Sequence, residues 1–273
     1  MPLEVRSLAE WEAAGVPGML SVVIPAHNEE GHIEETVRGL VAALTDAGIV
    51  HEILVVNDNS RDRTGTILHR LAAELPTLRI RDNDAPNGFG LAVRTGLAEF
   101  RGDSVAIVMA DGSDAPADLV RFYRTLQEGF DCVFGTRFSR GGRTKDYPWP
   151  KWILNRLGNR LIQALFLMRY NDVTNAFKLY RRSVVAGIQP LLSYHFNLTV
   201  ELPLKAIVRG YRYAVVPNGW VNRKEGLSKF RIREMGSRYL FIILYCLLEK
   251  LLSRQDYRDR SDLRRSQLQV WPR

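Results

Sequence analysis

An α/β fold with a mostly parallel, Rossmann-like sheet flanked by helices is predicted by two features of residues 19–135. Short apolar runs alternate with stretches of helical periodicity, a rhythm that joins strands through right-handed crossovers. Polar residues gather directly after the apolar runs, at the carboxyl ends where such sheets hold their ligands. With 273 residues, 46% hydrophobic and 25% charged, the chain has ample material for such a core.

Leu20 to Pro25 (LSVVIP) reads as a buried strand that stops at a proline. Asn28 is placed to cap the helix that follows, where Ile33, Val37, Leu40, Val41 and Leu44 recur at three- and four-residue spacing. Next come a strand at Ile53–Val56 and a helix at Thr66–Leu75, then a strand at Leu78–Ile80 and a helix at Gly90–Phe100. A strand at Val105–Met109, a helix at Pro116–Glu128 and a strand at Cys132–Phe134 complete the alternation. Residues 139–151 (SRGGRTKDYPWPK) combine Gly and Pro with no periodicity and predict a mobile loop. Beyond it lie an apolar helix at Trp152–Met168, a returning strand at Ala176–Tyr180, a helix at Val200–Val208 and a last strand at Tyr213–Pro217. Residues 232–252 form a long apolar helix flanked by Arg231, Arg233, Arg238 and Lys250, followed by a charged tail to residue 273.

The formal net charge of +8 favours anionic partners. Its distribution is uneven. Arg137, Arg140, Arg143, Lys145, Lys151, Arg156 and Arg160 face a single acid, Asp146, in residues 137–160, whereas the first 120 residues are rich in acids. No nucleic-acid motif accompanies the charge. Two cysteines exclude a disulfide scaffold, and Cys132 reads as core. The five histidines lack zinc-ligand spacing. The N-terminal residues lack the apolar centre of a secretory leader, and the longest apolar run, Tyr239–Leu248, is about half of what a bilayer-spanning helix needs. The 232–252 helix fits either a buried helix or one lying on a bilayer with its arginines on lipid phosphates, and Tyr147, Trp149 and Trp152 suit the same interface.

Taken singly, the strand-end loops read as turn and cap chemistry. Together, SVVIPAHNEE, EILVVNDNSRDRT, NGFGLAVRTGL, the aspartates of ADGSDAP, DVTNAFKLYRR and RKEGLSK stand in an order that, over residues 19–235, resembles family 2 glycosyltransferases. The similarity is greatest to their polyprenyl-phosphate branch, typified by dolichyl-phosphate mannose synthase. The resemblance implies a GT-A fold, a nucleotide-sugar donor (UDP- or GDP-hexose), Mg2+ or Mn2+, and inversion at the anomeric carbon. The expected division is a catalytic domain at 1–230, with a nucleotide-sugar part at about 19–135 and an acceptor part at about 136–230, followed by a C-terminal helix and charged tail at 231–273 that is membrane-associated in one of its two readings.

Residue by residue, the resemblance places the donor on Pro25, Asn28, Glu29, Asp58 and Gly88, with Asp58 reading the base. Asp111 matches the second aspartate of a D-x-D metal motif, and Asp114, or Ser113 through its hydroxyl, completes the shell. An acceptor phosphate falls to Arg137, Arg156, Asn159, Arg223, Ser228 and Lys229, the last three within an R-x-x-G-x-S-K signature that includes Gly226. Asp172 is a general base for a hydroxyl acceptor, or orients cations for a phosphate acceptor. Three positions depart from the family pattern: Asn57 and Met109 where aspartates are usual, and Asn175-Ala176 where a small residue and glycine are usual. The expected product is a lipid-phosphate-linked sugar, made by a cytoplasmic enzyme lying peripherally on the membrane, with or without a membrane partner protein. The alternatives are a transferase to a glycan or small-molecule hydroxyl, and a non-catalytic nucleotide-binding relative.

Overall fold

The computed structural model describes residues 15–83, 86–221, 232–253 and Asp256. Seven strands form one sheet in the order β3-β2-β1-β4-β7-β5-β8. They are β1 (Val16–Ala26), β2 (His51–Asn57), β3 (Leu78–Asp82), β4 (Gly102–Ile107), β5 (Cys132–Thr136), β7 (Lys178–Arg181) and β8 (Tyr213–Pro217). All pairings are parallel except those of β7, which runs antiparallel to both β4 and β5. The expectation of a mostly parallel sheet is met.

Strand alternation explains the layering. Along β1, Val22 and Ile24 enter one core and Val23 the other. The first core is closed by α1 (Ile33–Asp46), α2 (Thr64–Glu74) and α4 (Pro116–Gln127), through Val37, Leu40, Leu68, Phe122 and their neighbours. The second is closed by α3 (Phe89–Glu99), α5 (Trp149–Phe166), α6 (Arg182–Gly187), α7 (Leu198–Val208) and α8 (Ile232–Leu252). A Cβ on Gly96 of α3 would stand 2.3 Å from Val23 Cγ1, so this glycine sets how closely α3 lies on β1.

Several boundaries differ from expectation for visible reasons. β1 runs past Pro25, which pairs with Val56 on β2; the missing N–H is tolerated because the β4 ladder ends at Val23. α1 begins at Ile33 with His32 at its N-cap and no side-chain cap, so Asn28 does not cap it. Within the expected loop 139–151, Arg143–Lys145 form a strand, β6, that pairs in parallel with β9 (Gly219–Val221), and α5 begins at Trp149. α8 is docked by buried Ile242 and Cys246 and by a buried ion pair in which Arg209 Nε and Nη2 donate to Glu249 at 2.7 and 3.1 Å. Lys250 Nζ donates to the Phe166 carbonyl at the end of α5.

Candidate active site

The strand order reverses between β1 and β4, and the loops beyond these strands line the crevice where sheets of this type bind ligands. The loops after β1 and β2 are latched together. Asn28, held at φ 55°, accepts from Arg61 N at 2.8 Å through Oδ1, while its own N–H donates to Ser60 Oγ. Glu29 N donates to Thr64 Oγ1, and Glu30 accepts from both N and Nε of Arg63. Asn28 therefore shapes the loop, and the Glu29 side chain lies beside His32.

Asp58 is 4% exposed at the end of β2. Its Oδ1 accepts from Asn83 Nδ2 and its Oδ2 from the Gly88 N–H, both at 2.8 Å. Two strand-end loops thus converge on one carboxylate, whose further lone pairs can accept from a base. Asn57, one of the departures, donates to Asp82 Oδ1 at 2.8 Å, where an aspartate would put two carboxylates face to face. The glycines of NGFG serve close packing: a Cβ on Gly88 or Gly90 would come within 2.7 Å of the Tyr194–His195 backbone. Phe89 stacks on Phe196 at 4.3 Å beside them.

After β4, the Asp111 carboxylate accepts from Ser113 N, and Gly112 turns the chain at φ 69°. Asp114 folds back so that its Oδ2 accepts from Met109 N at 3.1 Å, beside the residue where the D-x-D pattern lacks an aspartate. Burial pushes the Asp114 carboxyl up to about 7, and the neighbouring Asp111 charge adds to the rise. Ser113 Oγ is buried with no hydrogen-bond partner. Among the described residues no group of three or more His, Cys, Asp or Glu is placed to hold a metal ion. Two carboxylates and an unpartnered hydroxyl do fit a hard divalent cation whose shell is completed by phosphate oxygens, the usual habit of Mg2+.

On the other flank, Arg137 follows β5. Its backbone N and Nε donate to Asp172 Oδ2 at 2.9 and 2.8 Å, and Nη2 donates to Oδ1 at 2.7 Å. The pair is buried, Asp172 completely. Burial opposes the charge on Arg137, but Asp172 outweighs it and holds the guanidinium above its ordinary pKa. Phe138, Tyr147 and Trp220 place their rings within 6 Å of this guanidinium. Trp220 also bridges to Asp114, and Val221 N donates to Ser113 O, so the β6–β9 pair ties the carboxylate loop to the arginine. Arg156 donates to the Asn171 carbonyl and lies over the Phe138 ring at 4.7 Å. Asn159 is fully buried, accepting from Val173 N at 2.6 Å and donating to Asn155, so it stands behind the Asp172 loop as a brace. Arg223, Gly226, Ser228 and Lys229 lie outside the described residues.

Residues 21–188 match Glycosyl transferase family 2. The chain belongs to that family. Among curated relatives, this family 2 enzyme is 30% identical over 233 residues to the polyprenol monophosphomannose synthase of Mycolicibacterium smegmatis, covering 80% of this chain and 86% of that one. It is 27% identical over 215 residues to the dolichol-phosphate mannosyltransferase of Pyrococcus furiosus, covering 78% of this chain but 59% of the relative. Its fold is GT-A, shared with glucosyl-3-phosphoglycerate synthase from Mycobacterium tuberculosis, crystallised with Mn2+ and UDP-glucose: TM-score 0.64, 20% identity, 90% of this chain and 83% of that one.

Sequence reasoning missed three residues of this transferase's site. Asn83, which orients Asp58 and accepts from Thr95, lies in a strand-end loop with no distinguishing pattern. Trp220, against Arg137, sits in a three-residue strand that only its pairing reveals. Lys178, 1% exposed, donates to the Val173, Asn175 and Thr199 carbonyls, and burial pulls its ammonium down to about 7. A lone lysine in a strand carries no signal of that role.

Proposed function

We propose that this glycosyltransferase moves a hexose from a UDP- or GDP-sugar to polyprenyl phosphate with inversion, giving a lipid-phosphate-linked sugar. The observation that carries the reading is the Asp172–Arg137 pair: both carboxylate oxygens of Asp172 already accept from Arg137. A hydroxyl acceptor would need Asp172 as a base, and proton uptake there would break a buried ion pair. A phosphate monoester is anionic near neutral pH and needs a cation to aim it rather than a base. The names of the M. smegmatis and P. furiosus relatives support the same acceptor class.

In this reading Asp58 and Glu29 take the nucleoside end of the donor, within loops shaped by Pro25, Asn28 and Gly88. Asp111 and Asp114, with Ser113, would hold Mg2+ or Mn2+, which would supply Lewis-acid neutralisation of charge on the leaving diphosphate. Arg137 and Arg156, with Arg223, Ser228 and Lys229, aim the acceptor phosphate, while Asn159 acts from behind through the Asp172 loop. A phosphate oxygen bonds to the anomeric carbon as the bond to the diphosphate breaks, and the electron pair leaves with the nucleoside diphosphate. No proton need move.

Access to a lipid fits the exposed faces of α5 and α8. Trp149, Leu157 and Leu161 on α5 and Leu240, Phe241 and Leu244 on α8 are exposed, and no helix among the described residues is long and apolar enough to cross a membrane. Peripheral contact with an anionic cytoplasmic leaflet suits these faces and the net charge of +8. Offering the enzyme polyprenyl phosphate and the matching polyprenol, with a donor panel and divalent cation, tests the acceptor. Product from the phosphate alone is expected; equal product from the alcohol would return Asp172 to the role of base.

A further inference from the structure

We infer that Lys178 is a positioning residue for the transfer, holding the loop that presents Asp172 and through it the orientation of Arg137. This rests on the acceptor reading above. Lys178 occupies β7 where the two halves of the site meet, paired with Ile107 at the end of β4 and with Phe134 of β5. The carboxylates follow β4 and Arg137 follows β5.

Its side chain does not enter solvent or contact Asp172 through a hydrogen bond. The Nζ donates to Val173 O at 3.1 Å, to Asn175 O, and to Thr199 O at 3.0 Å. Three donors meeting three carbonyls is the full complement of an ammonium. Two of those carbonyls belong to the loop that begins at Asp172, and the third to the first turn of α7. Buried carbonyls that lose their donor must find another or turn away. Without the ammonium, the peptides at residues 173 and 175 are released together. Other braces of the loop, among them Asn159 on Val173 N, Asn155 on Thr174 Oγ1 and Asn218 on Asn175, act on other groups and do not replace it. Asp172 then loses the fixed position from which it grips three N–H groups of Arg137.

The test compares Lys178→Met, Lys178→Arg and Lys178→Gln in the wild-type background and in Arg137→Lys. Nucleotide binding, kcat with polyprenyl phosphate and the Arg137 Nε–H resonance in 1H–15N spectra are read for each. Lys178→Met should lower kcat about 100-fold with nucleotide affinity within about three-fold, and Lys178→Arg should recover most of the loss. In the Arg137→Lys background the same change should cost about ten-fold less, because both substitutions act on one pair. The Arg137 resonance should move in Lys178→Met and return in Lys178→Arg. A folded Lys178→Met protein with unchanged kcat or an unmoved Arg137 resonance overturns the inference, as does an equal loss in both backgrounds. If Lys178→Met does not fold, Lys178→Gln bears the same comparison. Absence of lipid product from the wild type would count against the acceptor reading alone, since the resonance still decides the role of Lys178.

Discussion

Asp114 is buried where it meets Met109 N, and burial pushes its carboxyl up to about 7, against the ionised form that the proposed cation site would need. Because the folded value lies above the ordinary 3.8, ionisation disfavours the fold: stability from this group falls as pH rises between about 4 and 7 and stays low above that. In metal-free protein, Asp114→Asn should therefore gain on the wild type between about pH 5 and pH 8, by on the order of 2–4 kcal/mol in denaturant melts. Asp172→Ala leaves Arg137 buried without its partner, and a loss of about 3–5 kcal/mol is expected together with the loss of transfer. Asn57→Asp, which restores the family pattern, should lower the melting temperature because it faces Asp82, and Asp82→Asn in the same protein should reverse the loss. At this scale the sequence disclosed which polar residues gather at the strand-end loops, but not what holds them. Asn28 and Asn159 were legible as polar residues near ligand loops, yet only the distant partners Arg61 and Val173 decide that one shapes a turn and the other braces a loop.

Elements with periodic burial were legible almost to their ends. α2, α3 and α4 lie within about two residues of their expected bounds, because each buries a single stripe against the sheet. β6 was not legible: three polar residues gain strand geometry only from β9, some seventy-five positions later. The direction of β7 was equally hidden, since a short apolar run does not record which way it enters a sheet. α5 reads as apolar, but only Ile162 and Phe166 among its hydrophobic residues are buried, and its remaining leucines face outwards. α8 depends on the Arg209–Glu249 pair as well as on apolar contact. Glu249→Ala should cost about 3–5 kcal/mol and speed amide exchange in α8 before the sheet is affected.

For the whole molecule, the strand–helix alternation, the strand-end loops and the ordered motifs made both the GT-A fold and the family legible, and the acidic and basic halves now have a physical link. The β6–β9 pair reaches from Arg137 to the Asp111–Asp114 loop, so the proposed cation and acceptor sites share one connecting element. The exposed leucines belong to the proposed contact with a lipid surface. Leu157→Ser with Leu161→Ser should weaken partition onto anionic vesicles by about ten-fold or more while leaving the melting temperature unchanged, since both side chains are over half exposed. The central claim is metal-dependent transfer to a lipid phosphate. It is tested most directly by mass spectrometry of the organic extract after incubation with polyprenyl phosphate, Mg2+ or Mn2+, and UDP- and GDP-hexoses. A hexosyl lipid phosphate that disappears with chelator and in Asp111→Ala and Arg137→Ala is predicted; nucleotide release with no sugar on the lipid would contradict it.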